Sequence, residues 1–403
     1  MNRTPTGTWN LICYGYNPWS RMWKRNQTMV RLLAEQPFID RAGFVNPPAY
    51  LARLLTGPGR ELSGLRRETW RAALPCEREG IIVHTPVRPL FYSRSRAAAL
   101  PAEAFTRRIL ERLSVRPYLL LLNRLQDFDD PVFAQLYDGA ACRHFDWSDD
   151  FETFCTSDRQ RAAAARVRDR FLIECDVVTT VNEHLAERAR DRCPDAFAVR
   201  NATDFEVLNR ADAPRTPITE ALARLSGPVI GYIGYLNRER LDAELIESVA
   251  AARPDWQFVF LGPEATPRPL GDDLPRRDNV HLLPAVPYEE LPGWLKGFDV
   301  CMLPNRLNEH TRGNDPIKLF DYLASGRPVV ATPTAGTAEL ADVLHIAEGA
   351  DAFLASLEAA LAARDDAQAK AARLAAARAN AWPSRFAPVF ERLHGALQRR
   401  SAS

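Results

Sequence analysis

Residues 314 to 332, Asn-Asp-Pro-Ile-Lys-Leu-Phe-Asp-Tyr-Leu-Ala-Ser-Gly-Arg-Pro-Val-Val-Ala-Thr, concentrate the side chains best placed for chemistry. Pro316 suits the first position of a helix, with Asn314 and Asp315 before it as candidate caps. Gly326 and Pro328 predict a helix stop followed directly by a strand. On that helix Lys318 and Asp321 are three apart and share a face. The free amide hydrogens of a first turn around Ile317, with the Lys318 ammonium beside them, suit a diphosphate. A carboxylate one turn later can accept hydrogen bonds from the two hydroxyls of a ribose. The plainer alternative is a surface salt bridge between Lys318 and Asp321.

The rest of the chain reads as the scaffold for such a site. Short apolar runs alternate with longer segments of helical period, the pattern of parallel sheets covered on both faces by helices. In the first half, strands are predicted from Trp9 to Cys13, Gly80 to His84, Tyr118 to Leu122, Ala134 to Tyr137, Val177 to Val181 and Phe197 to Arg200. In the second half they are predicted from Val229 to Ile233, Gln257 to Leu261, Val280 to Leu283, Val300 to Leu303 and Pro328 to Ala331. Between the two sets, the polar stretch from Arg210 to Thr219 carries two prolines and reads as a linker. The fold class is therefore α/β, with doubly wound domains at 1–212 and 213–381 and ligands expected at the carboxyl ends of the strands, in the cleft between the domains. The Ala- and Arg-rich run from Asp351 to Asn380 reads as one strong, solvated helix. A last helix, 382–403, opens at Trp382 with Pro383 in its first turn.

Five further stretches give the 314–332 segment a context: Gly231-Tyr-Ile-Gly-Tyr-Leu-Asn, Trp256-Gln-Phe-Val-Phe-Leu-Gly-Pro, Asn279-Val-His-Leu-Leu-Pro-Ala-Val-Pro-Tyr-Glu-Glu-Leu-Pro, Phe298-Asp-Val-Cys-Met-Leu-Pro and the tail from Trp382. In this order and spacing the sequence resembles the GT-B glycosyltransferases, specifically the retaining, family-4-like enzymes (glycosyl transferases group 1) that use nucleotide sugars. The tail looks like the terminal helix that returns to the first domain in that fold. In the first half the resemblance rests on Asn17-Pro-Trp-Ser-Arg-Met-Trp-Lys-Arg-Asn-Gln, Phe44-Val-Asn-Pro-Pro, Tyr137-Asp138 with Asp149-Asp150-Phe151, and Asn201-Ala-Thr-Asp-Phe, the last similar to an Asn-Gly-Val-Asp-containing segment.

The resemblance implies transfer of a glycosyl group from a nucleotide diphosphate sugar, of UDP or GDP type, to a hydroxyl acceptor with retention of anomeric configuration. The implied mechanism is front-face displacement without a protein nucleophile, a metal or another cofactor. Asp321 takes the position of the family's ribose-binding Glu, one methylene shorter. The family's other acidic residue, eight positions earlier, is Gly313 here, so Asn314 or Asp315 would have to stand in for it. Asp242 occupies a usual Lys position, which leaves Lys318 and one of Arg238 or Arg240 to stabilise the departing diphosphate. Gly234 would let backbone approach a phosphate, while Asn308, Glu309 and His310 are donor-sugar candidates. Asp299 reads as structural.

On the acceptor side Tyr16, Trp19, Trp23, Lys24, Arg25 and Gln27 follow the first strand, as a sugar platform, a lipid-headgroup surface or a helix packing its Trp inward. His84, His144, Asp146 and Asp149 are candidates to orient or deprotonate the acceptor hydroxyl, with a satisfied core histidine as the other reading of His84. Expected acceptors are carbohydrate, lipid-linked or small molecules, in polysaccharide or glycoconjugate assembly. An inverting GT-B enzyme, a nucleotide-sugar epimerase and a non-catalytic nucleotide-sugar-binding module are the alternatives.

Composition sets outer bounds. The 403 residues, 46% hydrophobic and 26% charged, suffice for two cored domains. Lys plus Arg total 52 against 51 Asp plus Glu, which gives no whole-chain case for nucleic acid as a partner. Residues 1–210 carry 31 basic and 26 acidic side chains (+5), leaving 21 and 25 (−4) for the remainder, an asymmetry that would favour peripheral contact of the first half with an anionic membrane surface. Seven scattered cysteines without a C-x-x-C spacing read as reduced intracellular thiols. Apolar runs such as Tyr118 to Leu122 are far too short to span a bilayer, and the N-terminus lacks a leader-like apolar core, so the expected location is the cytoplasm, at most peripheral on the inner face of the membrane.

Overall fold

The computed structural model describes residues 8–19, 25–50, 76–88, 106–114, 116–125, 128–155, 157–210, 225–264, 270–274, 277–308 and 315–402. Trp23 and Lys24, most of the linker, and Glu309 to Asn314 with Gly313 and His310 lie outside them. The chain forms two compact units, Met1–Val199 with Phe386–Ser403, and Arg200–Arg385.

The first unit is built on strands β1 (Trp9–Tyr14), β2 (Ile39–Val45), β3 (Cys76–Arg78), β4 (Ile81–His84), β5 (Tyr118–Leu122), β6 (Cys142–Trp147), β7 (Val177–Thr180) and β8 (Phe197–Ala198). They are ordered β8-β7-β6-β5-β1-β2-β4-β3 and are parallel throughout except for the β3/β4 pair. β1 pairs with both β2 and β5, so the strand order reverses beside it. In a doubly wound sheet this is where the carboxyl ends leave a crevice. β1 and β5 are buried along their whole length, which explains their unbroken apolar runs.

Two expectations fail in this unit for identifiable reasons. Ala134 to Tyr137 is not a strand but part of helix α2 (Pro131–Gly139), which follows α1 (Arg25–Ala34). The Asp130 carboxylate accepts the amides of Val132 (3.1 Å) and Phe133 (3.3 Å), and Pro131 opens the first turn. A four-residue apolar run is too short to reveal its period, and the cap decides it. β6 escapes notice because Arg143, His144 and Asp146 interrupt its apolar pattern, although His144 and Asp146 are fully buried.

The second unit has a six-stranded, all-parallel sheet: β9 (Val229–Ile233), β10 (Gln257–Leu261), β11 (Val280–Leu283), β12 (Val300–Leu303), β13 (Val329–Ala331) and β14 (His345–Ile346), ordered β11-β10-β9-β12-β13-β14. The first five fall where the apolar runs predict them. Asp299 is structural: its carboxylate accepts the Val229 amide at 2.8 Å and so fixes the start of β9. Helices α3 (Ala243–Ala252) and α4 (Ile317–Ser325) pack on the sheet. The single helix expected from Asp351 to Asn380 is two, α5 (Ala350–Ala362) and α6 (Ala367–Ala379). The break has a cause in Asp366, whose carboxylate accepts the amides of Gln368 (2.8 Å) and Ala369 (3.0 Å) and starts a new helix. Asp366→Ala is expected to destabilise the protein by about 1 kcal/mol, read by thermal unfolding, with Asp366→Ser recovering most of the loss.

The last helix, α7 (Trp382–Ala402), enters the first unit at Phe386. Phe386, Val389, Leu393 and Leu397 form its buried stripe, and the His394 ring stacks on Phe38 (4.7 Å between centroids) and meets Trp9 edge-on (6.4 Å). All seven cysteines are free, and no helix among the described residues is long and apolar enough to cross a membrane.

Candidate active site

The second sheet reverses its order at β9, which pairs with β10 on one side and β12 on the other. Backbone at its carboxyl end is shaped by two glycines. Gly234 has φ +152°, and a Cβ there would lie 2.2 Å from Lys318 Nζ and 3.0 Å from Tyr232 Oη. At the end of β10, Gly262 has φ +155°, and a Cβ on it would lie 1.8 Å from the Gly234 carbonyl oxygen. Only hydrogen fits at both positions, so the ends of β9 and β10 meet backbone to backbone beside the lysine. Tyr322 pins α4 to the same spot: its hydroxyl accepts the Ile233 amide at 2.6 Å and donates to the Ile233 carbonyl at 3.2 Å.

Helix α4 begins at Ile317. Pro316 is its N-cap (φ −73°, ψ 118°), not its first helical residue, and no side chain among the described residues caps the first turn. Asp315 is not a cap either. Its buried carboxylate pairs with Arg200 (Nη2–Oδ1 2.6 Å) and accepts the Asn201 amide at 2.7 Å, while its carbonyl accepts Asn201 Nδ2 at 2.6 Å. This engages Asp315 in holding the entry to the helix, and among the described residues no side chain caps the amide hydrogens of the first turn.

Lys318 and Asp321 form no ion pair with each other among the described residues, which sets aside the surface-salt-bridge reading. Lys318 Nζ donates to Tyr232 Oη at 2.5 Å and sits 4.5 Å from the centre of that ring. Burial, reinforced by the Arg240 charge and opposed by Asp321, pushes its pKa down to about 7. Asp321 Oδ1 accepts the Thr203 hydroxyl at 2.8 Å; burial pushes this carboxyl up to about 7, with Asp204 adding to the rise and Thr203 and Lys318 opposing it. Neither group is comfortable as an ion without a ligand.

The two candidate arginines separate cleanly. Arg238 is taken by Asp273 (Nε–Oδ2 2.8 Å), whereas Arg240 pairs with no carboxylate among the described residues and its charge bears on both Lys318 and Tyr232. Arg240 is thus the second cation of this cluster. Asp242, at the position where a lysine is usual, instead caps α3 by accepting the Leu245 amide at 3.1 Å. Asn308 Nδ2 donates to the Glu239 carbonyl at 3.1 Å, in the loop that carries Arg240.

In the first unit the candidates scatter. Arg25 is buried and grips Asp146 with two bonds (Nε–Oδ2 2.9 Å, Nη2–Oδ1 2.8 Å) while Nη1 donates to the Val199 carbonyl at 2.7 Å. Asp146 also accepts Asn123 Nδ2 and Thr179 Oγ1, each at 2.8 Å, and Thr179 Oγ1 lies 2.8 Å from His144 Nε2. Arg25 is therefore spent inside the unit and not left for an acceptor. His144 is fully enclosed, with burial pushing its pKa down to about 4, and has no path to a substrate proton. His84 is likewise enclosed, 3.0 Å from Thr106 Oγ1, as a core histidine. Trp19 packs edge-on against Phe44 (5.1 Å) and its amide donates to Asn46 Oδ1. Tyr137-Asp138, read as part of a strand–loop–helix, belongs to α2. Tyr16, 36% exposed and tilted on Phe151, and half-buried Asp149, after β6, stay accessible at the carboxyl ends of this sheet.

Comparison with known proteins adds the family. The model of the glycosyl transferases group 1 family matches residues 227–376, the span that holds Gly234, Lys318 and Asp321. The matched span is a little over a third of the chain. The chain is 26% identical over 231 residues to TuaH of Bacillus subtilis (strain 168), which carries a provisional teichuronic acid biosynthesis glycosyltransferase name. The match covers 55% of this chain and 57% of that relative, so the chain spans a little over half of the relative's length. Among solved structures it resembles sucrose-phosphate synthase of Thermosynechococcus elongatus (TM-score 0.66, 14% identity, 98% of this chain and 100% of that one). It also resembles the Anabaena protein HepE solved with UDP and glucose (0.60, 15%, 98% of each) and the E. coli trehalose-6-phosphate protein solved with UDP-2-fluoro glucose (0.64, 11%, 96% and 99%). The fold shared with these structures is GT-B.

Sequence reasoning passes over Thr203, Tyr232, Tyr322 and Gly262. The first three act through hydroxyls on residues 118, 86 and 89 positions away, separations that carry no periodic signal. Gly262 stands inside one of the family-like stretches, and its place directly after strand β10 was a usable sign.

Proposed function

We propose that the chain transfers a glycosyl group from a UDP-type nucleotide sugar to a hydroxyl acceptor, with retention, in polysaccharide or glycoconjugate assembly. One observation carries this reading: Gly234, the uncapped first turn of α4, Lys318 and Arg240 converge at the carboxyl end of β9, with Asp321 one turn further on. A diphosphate fits the amides and the two cations, and its ribose fits the carboxylate. As the glycosidic bond breaks, charge grows on the leaving diphosphate, and the fixed cations and amides stabilise that charge. The same phosphate oxygen can take the acceptor's proton, so the reaction needs no protein nucleophile. On this reading Ile317 contributes its amide, Asn308 supports the Arg240 loop, and Tyr16 and Asp149 are the acceptor-side candidates. The acceptor is a carbohydrate or lipid-linked hydroxyl met in the cytoplasm at the membrane face.

A panel of nucleotide sugars tests this by diphosphate release with and without candidate acceptors, with proton NMR reporting the product anomer. Release from a UDP-sugar with the donor's configuration kept is expected. Release from none of the panel would overturn the assignment, and an inverted product would overturn retention.

The lysine adds a signature in protons. At pH 8 Lys318, with its pKa near 7, is largely neutral in the free protein, whereas a bound diphosphate stabilises its charged form. UDP binding at pH 8 is therefore expected to take up a proton. Calorimetry in buffers of different ionisation enthalpy measures this, and the uptake should vanish in Lys318→Met.

A further inference from the structure

We propose that Thr203 is a positioning residue of the donor site, its hydroxyl holding Asp321 Oδ1 so that the other carboxylate oxygen is presented to the ribose hydroxyls. This rests on the donor reading above and extends it to a residue outside α4 and its strand.

The hydroxyl is fixed from every side. Thr203 is fully buried, its amide donates to the Asn380 carbonyl (3.2 Å), its carbonyl accepts the Trp382 amide (3.1 Å), and its backbone forms a parallel bridge with Ala381. A β-branched side chain on a backbone so held has little freedom at χ1. Two residues earlier, Asn201 and Arg200 hold Asp315, so segment 200–203 grips the start of α4 at Asp315 and again at Asp321.

Among the described residues the charged surroundings of Asp321 are few. Asp204 and Lys318 act on it in opposite senses. On the elements packed against α4, Arg373 and Lys370 of α6 lie at its far end by Gly326, Arg378 stacks on Phe205, and Glu206 is exposed. Thr203 is the donor hydroxyl on the carboxylate, and the interaction opposes the effect of burial.

The test uses the full chain with carboxyl-labelled aspartate. In ligand-free protein, carbon NMR should show Asp321, assigned by its loss in Asp321→Asn, titrating near pH 7. Thr203→Val, which keeps the shape, should raise that midpoint by about one pH unit and Thr203→Ser should restore it. UDP affinity at pH 7 should fall by roughly tenfold in Thr203→Val, recover in Thr203→Ser, and change no further when Thr203→Val is added to Asp321→Asn. An unmoved midpoint in a folded Thr203→Val protein, or an equal affinity loss in the Asp321→Asn background, would overturn the inference. Failure of wild-type protein to bind UDP, GDP or ADP would overturn the donor reading, while the titration would still decide whether Thr203 holds the carboxylate.

Discussion

Replacing Lys318 by alanine is expected to lower kcat/KM by about 10²- to 10³-fold, the range seen when one fixed charge-stabilising group is lost from a transition state. Lys318 Nζ is held between the Tyr232 hydroxyl and the hydrogen-only surface of Gly234, so it needs no reorganisation when charge develops on the leaving group. The loss should fall mainly on kcat, because the interaction strengthens as the diphosphate departs. Lys318→Arg should not rescue. A guanidinium is larger than the ammonium, and Nζ already fills the space beside Gly234 that even an added Cβ, 2.2 Å from it, could not share. Steady-state kinetics with the preferred UDP-sugar checks both variants. Arg240→Ala is the milder companion, since Arg240 lies at the edge of the cluster and is half-exposed.

The second large effect is on stability. Arg25→Ala should cost about 3–5 kcal/mol, because it strands the buried Asp146 carboxylate without its cation. Burial alone would raise the Asp146 pKa, but the Arg25 charge and hydrogen bonds overcome it and hold the carboxyl below the ordinary 3.8. A depressed folded-state pKa means stability that is present above the unfolded value and lost as pH falls through the folded one. The gap between wild type and Arg25→Ala, read by denaturant unfolding, should therefore be wide near neutral pH and narrow below about pH 4 as the carboxylate takes its proton. Arg25→Lys should recover only part, since one ammonium cannot serve both carboxylate oxygens and the Val199 carbonyl at once. A residue reserved for an acceptor would behave otherwise, raising KM with unfolding unchanged.

Arg25 also marks where the sequence was legible and where it was not. A cation among tryptophans after a first strand looks the same whether it faces a substrate or a buried carboxylate 121 positions away. The second unit was easier to read because β9, β10, β12 and β13 are short, apolar and largely buried, and because α4 carries its own punctuation from Pro316 to Gly326, whose φ of +75° ends the helix. The donor cluster was legible for the same reason: Lys318 and Asp321 belong to one helix, and helical spacing alone puts them together. Its supporting hydroxyls were not, because Tyr232, Thr203 and Tyr322 reach it through tertiary folding. In the first unit, polar residues inside β6 hid a strand, and an apolar run in α2 imitated one.

The first unit is written in two instalments, residues 1–199 and 386–403, with the whole second unit between them. Phe386, which carries the Arg25 guanidinium at 5.5 Å, and the buried stripe through Leu397 reach that unit only after the second unit has been synthesised. The second unit is therefore synthesised whole before the first can close its own interior. Removing residues 386–397 takes away part of a core whose remainder lies before residue 200.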